Sequence, residues 1–111
     1  MLFPIGYNIA VVEIYETSAF SKWFKSLRDI KAKGRINVRI RKVSLGYYGD
    51  TKYLREGISE LRIDYGPGYR VYFLEKTGGQ SIVLLGGSDK NSQVKAIEKA
   101  IELAKFTMRG S

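Results

Sequence analysis

Two short runs of the chain place chemically useful side chains on one side of a strand pair. In residues 58–65, Glu60, Arg62 and Asp64 alternate with Ser59, Leu61, Ile63 and Tyr65. In residues 69–74, Arg70 and Tyr72 alternate with Val71 and Phe73. Successive side chains point to opposite faces of a strand, so each run has one apolar and one polar face. Gly66-Pro67-Gly68 between them forces a turn and predicts that the runs pair as a hairpin. With the apolar faces laid on the core, Glu60, Arg62, Arg70 and Tyr72 share the opposite, exposed face, and Lys52 on the preceding run can join them. Cations with one carboxylate and one phenol suit cleavage of an RNA phosphodiester by its own 2′-hydroxyl. Arginine binds two phosphate oxygens with its planar fork and can hold the charge of the phosphorane. Glu60 or Lys52 is the better proton acceptor, and Tyr72 could donate a hydrogen bond or stack on a base. Alternating charge is equally the pattern of a solvated strand face, and tyrosine is common in strands for its β propensity alone.

The composition narrows the chemistry further. The 111 residues contain no cysteine and no histidine. A disulfide scaffold, a thiolate zinc site, a cysteine nucleophile and histidine acid–base catalysis are therefore excluded. No metal or other cofactor is expected. Nineteen basic residues against eleven acidic ones give a net charge of +8, which favours polyanions or an acidic protein partner. At 44% hydrophobic, the chain can bury one core and is read as a single domain over 1–111, with 107–111 as a possible added tail. No apolar run is long enough to span a membrane and residues 1–7 lack the pattern of a signal peptide, so a cytoplasmic location is expected.

The elements that must hold these residues follow from periodicity. Residues 8–16 read as a first strand. Thr17 or Ser18 can cap a helix over 18–28, whose stripe is Phe20, Trp23, Phe24 and Leu27. A second helix over 31–44 carries Ile36, Ile40 and Val43 inside and Lys31, Lys33, Arg35, Arg39, Arg41 and Lys42 outside. That cationic face, with Arg39 and Lys42 as RNA contacts, is a second candidate surface; a merely solvated face is the plainer reading. Tyr47 and Tyr48 in the following loop could stack on bases or pack locally. Strands over 51–55, 58–65 and 69–76 come next, with Lys52 and Arg55 as further RNA-binding candidates. A near-continuous apolar strand over 81–86 suits a sheet covered on both faces. Gly86-Gly87-Ser88-Asp89 reads as the turn that ends it and caps a last helix over 90–105, whose buried stripe is Val94, Ile97, Ile101 and Ala104. The order β-α-α-β-β-β-β-α predicts an α+β fold, one mostly antiparallel twisted sheet packed by an N-terminal helical hairpin and a C-terminal helix.

The stretch Glu-Gly-Ile-Ser-Glu-Leu-Arg-Ile-Asp-Tyr-Gly-Pro-Gly-Tyr-Arg-Val-Tyr-Phe at 56–73 resembles the signature of the addiction-module killer proteins, the HigB-like, phage Gp49-like branch of the RelE/ParE superfamily. Leu-Leu-Gly-Gly-Ser-Asp-Lys at 84–90, Phe-Ser-Lys-Trp-Phe at 20–24 and Gly49-Asp50 support it. The resemblance implies a RelE-like fold, toxicity within a type II toxin–antitoxin pair and ribosome-dependent cleavage of mRNA. It implies a cognate antitoxin partner, often a helix-turn-helix DNA-binding protein; that partner is expected to cover the sheet face or displace the last helix. It matches Arg70, Arg62 and Lys90 to the family's basic site residues, and Lys52 more loosely. The absence of histidine departs from the HigB pattern and leaves acid and base unassigned, although RelE-like toxins can cleave without histidine. Two other readings stay open: a ParE-like inhibitor of DNA gyrase that cuts nothing, and an inactive toxin-fold protein serving as an RNA-binding or regulatory module.

Overall fold

The computed structural model describes residues 12–109. Residues 8–11 of the expected first strand, and the leader reading of 1–7, lie outside them. The described elements are β1 (Glu13–Glu16), α1 (Ser18–Ser26), α2 (Ile30–Ser44), β2 (Thr51–Arg55), β3 (Ile58–Ile63), β4 (Tyr69–Lys76), β5 (Ser81–Asp89) and α3 (Gln93–Arg109), in the expected order. The strands form one sheet in the order β1-β5-β4-β3-β2; β1 runs parallel to β5 and the other neighbours are antiparallel.

Side-chain caps set where the helices begin. Thr17 accepts from the Phe20 N–H at 3.1 Å and donates to the Leu85 carbonyl at 3.2 Å, so one hydroxyl starts α1 and ties it to β5. Asp29 accepts from the N–H groups of Lys31 and Ala32, and this cap separates α1 from α2.

The sheet is covered on both faces. On one side, Phe20 of α1 and Ala32, Ile36 and Val43 of α2 pack against Leu61, Ile63, Val71, Phe73, Ile82 and Leu84. On the other, Ala100, Ile101 and Ala104 of α3 pack against Ile58, Tyr72, Leu74, Val83 and Leu85. The alternation of Ile82-Val83-Leu84-Leu85 between these clusters is why that run carries no polar residue.

Three expectations need correction. Val94 is 73% exposed, and Ala100 joins Ile101 and Ala104 in the buried stripe in its place. The last helix also runs on to Arg109, past its expected end at 105. Gly86-Gly87 is no turn: β5 continues to Asp89, with Gly86 opposite Tyr72 and Gly87 opposite Val71. The register shifts between Tyr72 and Phe73, where Leu85 is the extra residue of a bulge. That bulge carries Ser88 onto the face of Arg70, its cross-strand partner. Gly87 is required by packing: a Cβ there would lie 2.3 Å from Cε3 of Trp23, whose ring rests on the strand backbone.

Candidate functional site

The β3–β4 register sets Glu60 opposite Tyr72 and Arg62 opposite Arg70, and the β2–β3 register sets Lys52 opposite Glu60. The five residues therefore share one face, as the alternation predicts. That face is not open as expected, because α3 lies over part of it.

Two guanidinium groups directly opposite each other across a strand pair repel. Glu60 resolves this. Its side chain is 3% exposed, and Oε2 accepts from Arg62 Nε at 2.8 Å while Oε1 stands 3.8 Å from Arg70 Nε. Gln93, the first residue of α3, donates from Nε2 to the same Oε1 at 3.2 Å. The carboxylate thus sits between the arginines, hydrogen-bonded to Arg62 and at ion-pair distance from Arg70, whose buried Nε has no hydrogen-bond partner among the described residues. Arg70 Nη1 donates to the Tyr69 carbonyl at 3.1 Å, and the rest of its Nη edge has no hydrogen-bond partner among the described residues. The hydrogen bond it donates to Glu60 pushes the Arg62 guanidinium above its already high value. Glu60 is buried among these partners; Lys52, exposed on the same face, is the accessible one of the two acceptors considered.

Lys90 is exposed just after β5. The empty space beside Gly68 brings it to Arg70: a Cβ at that glycine would sit 3.5 Å from Lys90 Cβ and 3.7 Å from Arg70 Nη1. The Lys90 side chain and the Arg70 guanidinium thus flank Gly68 in the β3–β4 turn.

Tyr72 is fully buried, and its hydroxyl lies 3.0 Å from Ser88 Oγ. Burial pushes its phenol up, with the Ser88 hydrogen bond working against that rise. In this arrangement Tyr72 cannot stack on a base; it supports the floor on which Glu60 rests.

The second candidate surface divides differently from the expectation. Arg39 is a clamp: its guanidinium donates to the carbonyls of Arg62, Tyr48 (2.9 Å) and Asp50 (3.2 Å) and so joins α2 to the edge of the sheet. Burial lowers its pKa, against the pull of Asp50. Lys42 is exposed, but on the helical layer across the sheet from the arginine pair. Of the outward cations on α2, Arg35 stacks on Tyr65 at 4.6 Å and Lys33 lies over Phe24 at 5.5 Å. Tyr48 packs against Phe73 and donates to Glu75 at 2.9 Å, with its phenol pushed up to about 12 by burial and that bond, so it is no base-stacking platform; Tyr47 stays exposed. Arg55 is exposed at the end of β2.

Ser88 and Gln93 were not singled out in the sequence. Ser88 becomes visible only if β5 is carried through its two glycines, and Gln93 only once α3 is known to cross the arginine face. Among the described residues no group of three or more acidic, histidine or cysteine side chains could hold a metal ion, and no helix is long and apolar enough to cross a membrane.

The sheet order and the placement of its helices are those of the RelE toxin fold. A mutant of E. coli toxin RelE in the free state superposes with a TM-score of 0.68 at 10% identity, covering 84% of this chain and 97% of that one. The toxin–antitoxin complex RelBE2 of Mycobacterium tuberculosis aligns at a TM-score of 0.50 and 14% identity, over 74% of this chain and 94% of that one. No protein-family model matches the chain. The chain belongs to one family with an uncharacterized protein of Haemophilus influenzae, to which it is 44% identical over 93 residues, 84% of this chain and 93% of the relative.

Proposed function

We propose that this protein is the toxin of a type II toxin–antitoxin pair, of the HigB-like kind, and that it cuts mRNA on the ribosome without a metal. The observation that carries this reading is the arginine pair. Arg62 and Arg70 stand side by side with one buried carboxylate between them, and Lys90 and Lys52 flank them. This arrangement can accept a phosphodiester and stabilise charge that builds on its oxygens. In the reaction the 2′-oxygen bonds to the adjacent phosphorus and the bond to the 5′-oxygen breaks. The 2′-hydroxyl loses its proton and the 5′-oxygen gains one. The cations lower the barrier chiefly by holding the phosphorane, and Glu60 keeps two of them pre-aimed, so no reorganisation is needed as charge develops.

The fold shared with RelE and with the toxin of the RelBE2 complex supports an antitoxin as partner. A net charge of +8 would speed encounter with an acidic antitoxin as well as with RNA. Such a toxin works in the cytoplasm, where its ribosomal target is.

The test is induced expression in a bacterial host of the wild type, Arg70→Ala and Arg62→Ala. Growth arrest with broken mRNA in the wild type, and loss of both in each variant at equal protein level, is the expected result. Arrest with intact RNA and damaged DNA would replace this reading with gyrase inhibition. Full toxicity in Arg70→Ala would remove the site assignment.

A further inference from the structure

A cleft of about 310 Å³ opens between the free edge strand β2 and the first turns of α3, lined by Lys52, Tyr53, Leu54, Arg55, Val94 and Ile97. Each wall carries a residue next to one that touches Glu60 or stands opposite it. Lys52 lies opposite Glu60 on the sheet, and Val94 follows Gln93, which hydrogen-bonds Glu60. Its chemistry has two parts. Leu54 and Ile97 are half-buried, and Val94 presents an apolar surface that is 73% exposed. Lys52 and Arg55 are exposed cations that make no ion pair or side-chain hydrogen bond among the described residues. At the rim, the Tyr53 hydroxyl accepts from the Gly57 N–H at 3.1 Å, which steadies an otherwise exposed ring.

We propose that this cleft is a nucleobase subsite, taking the base of a nucleotide next to the scissile phosphate. The proposal rests on reading the arginine pair as the phosphate site. Leu54, Val94 and Ile97 would contact the flat face of the base, and Lys52 and Arg55 would hold the phosphates on either side of its nucleotide. A flat ring on an apolar or aromatic wall, with cations tracking the backbone, is how single-stranded RNA is held. The volume lies at the small end of the range of small-ligand sites, roughly 300–1,000 Å³. It suits one nucleotide better than a docked helix, which is about 10 Å across and needs a trough several turns long. Among the described residues β2 is the sheet edge, and the subsite would bias which sequences are cut.

Val94→Glu tests this without touching the core, since Val94 is exposed and an acidic residue is favourable in the first turn of a helix. Cut positions are mapped as new 5′ ends in cells expressing wild type or Val94→Glu, with thermal melting of both purified proteins as the control for folding. The expected result is an unchanged melting point and a base preference beside the cut weakened about tenfold, the order of one lost stacking contact, while cutting persists elsewhere. An identical preference, or an equal loss at every site, overturns the subsite and leaves the arginine site standing. Unchanged cutting with loss of neutralisation by the antitoxin would give the cleft to a protein partner, which also overturns it. A wild type that cuts nothing removes the nuclease reading itself, and the subsite with it.

Discussion

Glu60→Gln is the substitution whose effect follows most directly from the geometry. It keeps the side-chain volume and one acceptor oxygen but removes the charge shared by Arg62 and Arg70. Breaking a buried ion pair by deleting one partner costs about 3–5 kcal/mol, because the other charge is left uncompensated. Here the cost is smaller. The Arg62 side chain is 34% exposed and can turn to water, whereas Arg70 is 14% exposed and its Nε has no hydrogen-bond partner among the described residues. Counting only the Arg70 share gives about 2 kcal/mol, or about 10 °C in melting temperature for a domain of this size. Thermal unfolding followed by circular dichroism reads this directly. Cutting should fall by at least about tenfold, as the guanidinium groups lose their fixed direction. With Glu60 as the holder of the cations and not the base, the pH dependence of the residual cutting should match the wild type. A Glu60→Gln protein that melts within 2 °C of wild type, on a scale of about 4–8 °C per kcal/mol, and cuts at full rate would refute the holding role. A changed pH profile with intact stability would restore Glu60 as the base.

Other substitutions probe the supports of the site. Gly87→Ala drives a Cβ to 2.3 Å from the Trp23 ring and should cost about 1–3 kcal/mol; Trp23→Leu in the same chain should recover part of it, which a double-mutant cycle by denaturant unfolding measures. Tyr72→Phe strands the nearly buried Ser88 hydroxyl and should cost about 1–2 kcal/mol. Its cutting rate should stay far above the about 100-fold loss expected for removal of a general acid. Arg39→Lys gives up a planar fork that reaches three carbonyls and should cost about 2 kcal/mol in urea unfolding, while toxicity at permissive temperature persists.

The chemistry-bearing strands were legible because period-two alternation is strict in 60–63 and 69–73, and the Gly-Pro-Gly turn fixes their pairing. That alone places Glu60, Arg62, Arg70 and Tyr72 on one face. What the sequence hides is how that face is covered. Val94 looks like core because its spacing to Ile97 and Ile101 is helical, but it is exposed. Gly86 and Gly87 look like a turn because glycine in a strand is unfavourable, yet the ring of Trp23, far away in sequence, needs that space. Arg39 reads as one more surface cation; only the tertiary arrangement shows three carbonyls converging on it. Local pattern settles which face a residue occupies, and long-range packing settles whether that face meets solvent.

The central claim is that the arginine pair cuts mRNA engaged by ribosomes. The most direct measurement maps new 5′ ends on total mRNA after induction of the wild type and of an Arg62→Ala, Arg70→Ala double variant, with and without a drug that empties ribosomes of mRNA. The account predicts cuts inside translated frames that vanish in the double variant and when ribosomes are emptied. Growth arrest with no new 5′ ends, or cuts that persist in the double variant, would contradict it.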